Sequence, residues 1–158
     1  MDLTSRRLLK EYKEYYSGAL PEEIVKLQPI SPDNLMEWLA ELKGPKHSPY
    51  SEGVFSLKIN LKNDYPMSPP DIKFLTPICH PNIKFSNGEI CLDVLSNTWS
   101  PAWSLKSLCL AIHLLMANPE DSSPLNCDAG NLLRRGDLIG YNSLVSMYVK
   151  MYAVKLKN

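Results

Sequence analysis

The 158-residue sequence lacks any apolar run of membrane-spanning length, so direct membrane insertion is not expected. It lacks an excess charge of either sign, with 17 Lys plus Arg against 17 Asp plus Glu. No global field favours nucleic acid, and no nucleic-acid partner is expected. No Cys-x-x-Cys pair occurs among Cys79, Cys91, Cys109 and Cys127. A zinc site is therefore disfavoured, and no metal is expected. The start, Met1-Asp-Leu-Thr-Ser-Arg-Arg7, is charged and then amphipathic, unlike a signal peptide. Reduced thiols in a cytoplasmic setting follow, with a disulfide among Cys79, Cys109 and Cys127 left open. There are no repeats, no low-complexity tract and no dividing linker, so residues 1–158 are expected to form a single domain.

What is present alternates in period. Over residues 3–16, Leu8, Tyr12 and Tyr15 keep helical spacing, flanked by Leu9 and Tyr16. Arg6, Lys10 and Lys13 share the opposite face, either as a solvated stripe or as a docking surface for an acidic partner. Residues 24–28 predict a first strand, ended by Pro29 and Pro32. Met36, Trp38, Ala40 and Leu42 alternate through 35–43, and Phe55, Leu57, Ile59 and Leu61 do so in a third strand. Ile72 and Phe74 mark a short fourth. Four strands with short connections predict an antiparallel meander. Ser104 is a predicted N-cap for a largely buried helix to Ala117, stopped at Asn118-Pro119. A short helix is expected over 131–135. A longer one is expected over 138–152, with Leu138, Tyr141, Val145, Tyr148 and Tyr152 as its stripe.

One stretch does not reduce to structure alone. His80-Pro-Asn-Ile-Lys-Phe-Ser-Asn-Gly-Glu-Ile-Cys91 places a cysteine after an Asn-Gly turn, with the amide of Asn82 nine positions upstream. A sulfur nucleophile needs its thiolate and a donor for the developing oxyanion. Asn82 fits that second role. From residues alone, the catalytic and structural readings of Cys91 stand level. A thiol hydrolase also needs a histidine base. Of His47, His80 and His113, none is joined to Cys91 by a local signature. The pattern suits a thiol receiving an already activated acyl group, since exchanging one thioester for another costs little free energy.

Tyr65-Pro-Met-Ser-Pro-Pro70, His80-Pro-Asn82, Gly88-Glu-Ile-Cys-Leu-Asp-Val-Leu95 and Trp99-Ser-Pro-Ala102, in that order and spacing, resemble the ubiquitin-conjugating enzyme family over nearly the whole chain. The resemblance implies an α/β (α+β) fold: an N-terminal helix, a four-stranded antiparallel meander, a central helix and C-terminal helices. It implies that Cys91 accepts ubiquitin from the ubiquitin-activating enzyme as a thioester and passes it on with a RING-type ligase. No cofactor is implied, because ATP is used by the activating enzyme. Asn82 becomes an oxyanion donor or loop support, with His80 and Pro81 as structural parts of the active-site loop. The activating-enzyme surface maps onto Arg6, Arg7 and Lys10, and the ligase loops onto Met67 and Ser100, Pro101 and Ala102.

Two departures stand out. The segment from His80 to Cys91 is one residue longer than in many members, which puts the placement of Asn82 in question. Ser123 occupies a gate position where many members carry an acid that helps deprotonate a lysine acceptor. A serine adds no charge there, which points to a cysteine acceptor. The stretch from Ser123 to Asp137, with Gly140-Tyr-Asn-Ser-Leu-Val-Ser-Met-Tyr148, resembles the peroxisomal branch of the family. That branch implies a membrane-anchored partner, peroxin 22, at the cytosolic face of the peroxisome, and the import receptor as substrate. Two rivals remain. One is carriage of a different ubiquitin-like modifier, decided by residues that contact the activating enzyme. The other is a non-catalytic binding module, against which Cys91 and Asn82 together speak.

Overall fold

A computed structural model describes residues 1–120, 122 and 124–157. The order is α1 (Leu3–Ser17), β1 (Ile24–Ser31), β2 (Asn34–Lys43), β3 (Gly53–Asn60), β4 (Asp71–Phe74), α2 (Leu105–Ala117), α3 (Cys127–Arg134), α4 (Leu138–Tyr152) and β5 (Val154–Lys155). Strands β1 to β4 pair in sequence order, each antiparallel to the next. This is the expected meander. It carries one strand more than the period-two pattern shows: β5 pairs with β3 at Gly53 and Val54.

Alternation decides the layers. Trp38, Ala40, Leu42, Phe55, Leu57 and Ile59 are fully buried and share a core with Leu8, Tyr15, Leu105, Leu108 and Ile112. Helices α1 and α2 thus lie over one face of the sheet. Tyr12 and Tyr15 meet Trp38 edge-on, at ring-centroid distances of 6.3 and 6.0 Å. The other face carries Lys26–Glu41 and Lys58–Glu37 ion pairs.

Two boundaries differ from expectation. Strand β1 runs through Pro29, which pairs with Trp38. A proline has no N–H to give a ladder, but β1 is an edge strand with one partner, so the loss is tolerated. Helix α3 begins at Cys127, because the Asn126 side chain accepts the Ala129 N–H as an N-cap. Helix α2 is capped as its sequence indicates: Ser104 and Ser107 form a reciprocal capping box.

Candidate functional site

Cys91 ends a short hairpin. Its N–H donates to the Asn82 carbonyl at 2.9 Å, and Lys84 N–H donates to Glu89 at 2.8 Å. Isolated bridges pair Ile83 with Ile90 and Glu89 with Lys73 of β4. The tip closes where Gly88 N–H reaches the Lys84 carbonyl at 2.8 Å. Gly88 has φ of 75°, and a Cβ there would stand 2.0 Å from the Phe74 carbonyl oxygen. Only glycine supplies both the conformation and the close approach. The hairpin leaves Cys91 exposed in a groove of about 420 Å³ bordered by Asp71, Glu89, Asp93, Asn97 and Leu125.

The residues before Cys91 form the hairpin's base. Asn82 is 2% exposed. Its Oδ1 accepts the Glu120 N–H at 2.8 Å, and its Nδ2 donates to the Glu120 carbonyl at 2.7 Å. The side chain is thus spent on the segment after α2. Pro81, also buried, accepts N–H bonds from Leu125 (2.7 Å) and Asn126 (3.1 Å). Together these residues hold the 118–126 segment against the Cys91 groove.

His80 is fully buried. Its Nδ1 accepts the Asn82 N–H at 3.0 Å, which leaves Nε2 to donate to the Leu115 carbonyl at 2.9 Å. Burial pushes its pKa down to about 4, so it is neutral near pH 7. With both nitrogens engaged, it is not a base for Cys91. His113 borders a separate cleft with Glu22, Glu23 and Lys43, and His47 is exposed in the loop after β2. No histidine borders the Cys91 groove. All four thiols are free. Burial raises Cys79 to about 11 and Cys109 to about 12, whereas Cys127 is exposed. Ser123, the gate position, lies outside the described residues.

The residues assigned to partner surfaces divide. Arg6 and Lys10 are exposed on α1. Arg7 is turned inward instead. Its guanidinium donates to Glu11 Oε1 (2.7 Å), the Pro101 carbonyl (2.8 Å) and the Trp103 carbonyl (2.6 Å), and sits over the Tyr65 ring. Arg7 joined the activating-enzyme surface through the family resemblance and not through the stripe of Arg6, Lys10 and Lys13, and helical spacing does not reveal its long-range acceptors. Met67 is 62% exposed. Its loop is joined to the one carrying Ser100, Pro101 and Ala102, because Trp99 Nε1–H donates to the Pro66 carbonyl at 3.1 Å.

Helical spacing also misses Glu11. It is 3% exposed and accepts four hydrogen bonds. Oε1 takes Arg7 Nε–H and the Tyr65 hydroxyl at 2.6 Å, while Oε2 takes the Tyr15 hydroxyl at 2.6 Å and the Leu105 N–H at 2.8 Å. The one local hint is Tyr15, four residues on and on the same helix face. Phe85 is the other omission: its ring lies against α4, at 5.2 Å from Tyr148 and 6.0 Å from Tyr152.

A family model described as ubiquitin-conjugating enzyme matches residues 7–149. Protein PEROXIN-4 of Arabidopsis thaliana is 49% identical over 158 residues, covering 99% of each chain. Ubiquitin-conjugating enzyme E2 pex4 of Dictyostelium discoideum is 48% identical over 146 residues, covering 92% of this chain and 97% of its own. Among solved structures, the H. polymorpha ubiquitin-conjugating enzyme Pex4p, crystallised with the soluble domain of Pex22p, superposes with a TM-score of 0.92. It is 37% identical and covers 97% of this chain and 100% of its own.

Proposed function

The chain belongs to the ubiquitin-conjugating enzyme family, and we propose that Cys91 accepts ubiquitin as a thioester and passes it, with a RING-type ligase, to the peroxisomal import receptor for recycling. The observation that carries this reading is the exposed thiol at the end of a hairpin fixed at its base by Asn82 and His80. The thiol loses its proton to solvent. Its sulfur bonds the carbonyl carbon of ubiquitin's terminal glycine, and the bond to the activating enzyme's cysteine breaks, that sulfur leaving as thiolate. A reaction of matched thioesters needs no adjacent histidine, consistent with none in the groove. ATP is consumed by the activating enzyme, and no cofactor is used here.

The activating enzyme docks on exposed Arg6 and Lys10, with Arg7 fixing the helix beside the ligase loops. A ligase takes Met67 and Ser100, Pro101 and Ala102. Among the described residues no helix is long and apolar enough to cross a membrane. The Pex22p complex of the H. polymorpha relative supports recruitment by a membrane-anchored peroxin 22; in this reading the enzyme sits peripherally on the cytosolic face of the peroxisome. Ser123, in place of an acid, supports a cysteine acceptor, whose thiolate forms more readily than a neutral lysine amine.

The test is charging with activating enzyme, ATP and ubiquitin, read on a non-reducing gel. A thiol-cleavable adduct is expected, absent in Cys91→Ala and converted to a reductant-resistant oxyester in Cys91→Ser. Discharge to free cysteine is expected to outpace discharge to free lysine. Normal charging of Cys91→Ala would overturn the assignment, and faster lysine discharge would overturn the acceptor.

A further inference from the structure

Among the described residues, the hairpin that carries Cys91 is attached at its base, along its outgoing arm and at its tip. Its base is polar, through Asn82 to Glu120, His80 to Leu115 and the Pro81 carbonyl to Leu125 and Asn126. Its outgoing arm rides on β4, where Glu89 bridges Lys73 and Phe74 N–H donates to the Gly88 carbonyl at 2.9 Å. Among the described residues the incoming arm has no strand beyond the outgoing one. Phe85, the residue that leaves it, supplies the attachment at the tip.

The Phe85 ring stands edge-on to two tyrosines, with interplanar angles of 68° to Tyr148 and 65° to Tyr152. Those two rings stack on each other at 5.9 Å and 18°. Edge-to-face and offset geometries are the favoured aromatic contacts. The cluster lies at the surface, with Phe85 41% and Tyr152 42% exposed, so it adds little to the main core. Its two sides differ in rigidity. Helix α4 is a fixed post: Val145 and Val149 are buried, and the chain beyond it pairs with β3 through Val154 and Lys155. The hairpin tip is three residues of turn, Phe85 to Asn87. Lys84, next to Phe85, is bonded to Glu89, two residues from the nucleophile. Movement of the tip therefore reaches Cys91 through about 10 Å of backbone.

We propose that Phe85 is a positioning residue for Cys91: packed edge-on against the stacked Tyr148–Tyr152 pair, it fixes the hairpin on α4 and so sets the direction in which the sulfur meets the incoming thioester. This rests on Cys91 being the acceptor thiol. Thioester exchange needs the sulfur on a narrow approach to the carbonyl, and small displacements at that distance cost rate rather than binding. Phe85 does not border the Cys91 groove; it acts through the hairpin.

The test is single-turnover charging of the full chain across a range of ubiquitin-loaded activating enzyme. Phe85→Ala is expected to lower the saturating rate about tenfold, the change that about 1.4 kcal/mol makes, with half-saturation unchanged. Phe85→Tyr is expected to restore the rate, because it keeps the ring. Tyr152→Ala removes one of the two rings that Phe85 packs against, at an exposed helix end, and is expected to lower the saturating rate in the same sense. It also serves as the test if Phe85→Ala fails to fold. A purely structural contact would lower the melting temperature and leave the saturating rate intact, which overturns the proposal. A change confined to half-saturation overturns it too, since it would make Phe85 a partner contact. Cys91→Ala run alongside separates this outcome from failure of the acceptor assignment. If Cys91→Ala does not charge while Phe85→Ala and Tyr152→Ala charge at the normal saturating rate, only the positioning role of Phe85 is wrong.

Discussion

His80 enters the fold in its neutral form, and that has a pH signature. Its ordinary pKa of 6.5 falls to about 4 on burial. Below pH 6.5 the unfolded chain binds a proton that the folded protein refuses until about pH 4. Stability is therefore fully present above pH 6.5 and is lost as pH falls toward 4, by an amount of order 3 kcal/mol. Urea midpoints from pH 7.5 to 4.5 are expected to fall more steeply for the native chain than for His80→Gln, with His113, also lowered by burial, contributing to the slope in both. Equal slopes would remove His80 as the cause. At this scale Cys91 was legible as a candidate because it closely follows an Asn-Gly turn, and the surrounding family motifs, not the turn alone, tipped the reading toward catalysis. The partners of His80 and Asn82 were not. Leu115 and Glu120 lie 35 and 38 residues away, and only the closed fold brings them together.

Period governs the elements and predicts them well where one face is buried. Helix α4 has the bounds its spacing gives, but its stripe serves two surfaces. Tyr141, Val145 and Val149 face the core, while Tyr148 and Tyr152 meet Phe85. A hydrophobic stripe alone cannot separate these, because both use apolar residues at steps of three and four. Strand β1 shows the reverse error, since a proline read as a stop is permitted once the strand is known to be an edge. The joint between the Cys91 hairpin and the segment after α2 is also an element-scale feature. Removing it in Asn82→Ala is expected to cost about 2 kcal/mol through the stranded Glu120 backbone groups. Loop support and oxyanion stabilisation then diverge. Both charging and discharge pass through an oxyanion, so loss of an oxyanion donor slows them equally. Loss of loop support slows discharge to the acceptor more than charging. Comparing the two rates in Asn82→Ala decides between these roles, and an equal fall would rule out loop support as the main one.

At the scale of the whole molecule, Glu11 joins parts far apart in sequence. Its carboxylate gathers Arg7 and Tyr15 of α1, Tyr65 beside Met67, and the first N–H of α2 at Leu105. Through Arg7 it also reaches Pro101 and Trp103. The Glu11–Arg7 ion pair has side-chain exposures of 4% and 23%, so water compensates poorly for its loss. Glu11→Gln keeps the shape but offers an amide NH₂ where donors already converge. It is expected to lower stability by about 3 kcal/mol, measured by chemical denaturation. A loss below about 1 kcal/mol would show that the four bonds are replaceable.

Strand β5 is two residues long, yet its place matters for the protein's behaviour in a crowded solution. Strand β4 pairs with β3 from Leu57 to Asn60, which leaves the Gly53–Val54 stretch bare on that side, and β2 already holds Val54 from the other. Val154 and Lys155 cover that gap. Uncovered, its backbone groups would be a template on which a second chain could add a strand, the usual first step toward aggregation. Lys155, charged and exposed, makes the covering strand itself a poor template. The chain thus closes its own adhesive edge with its tail.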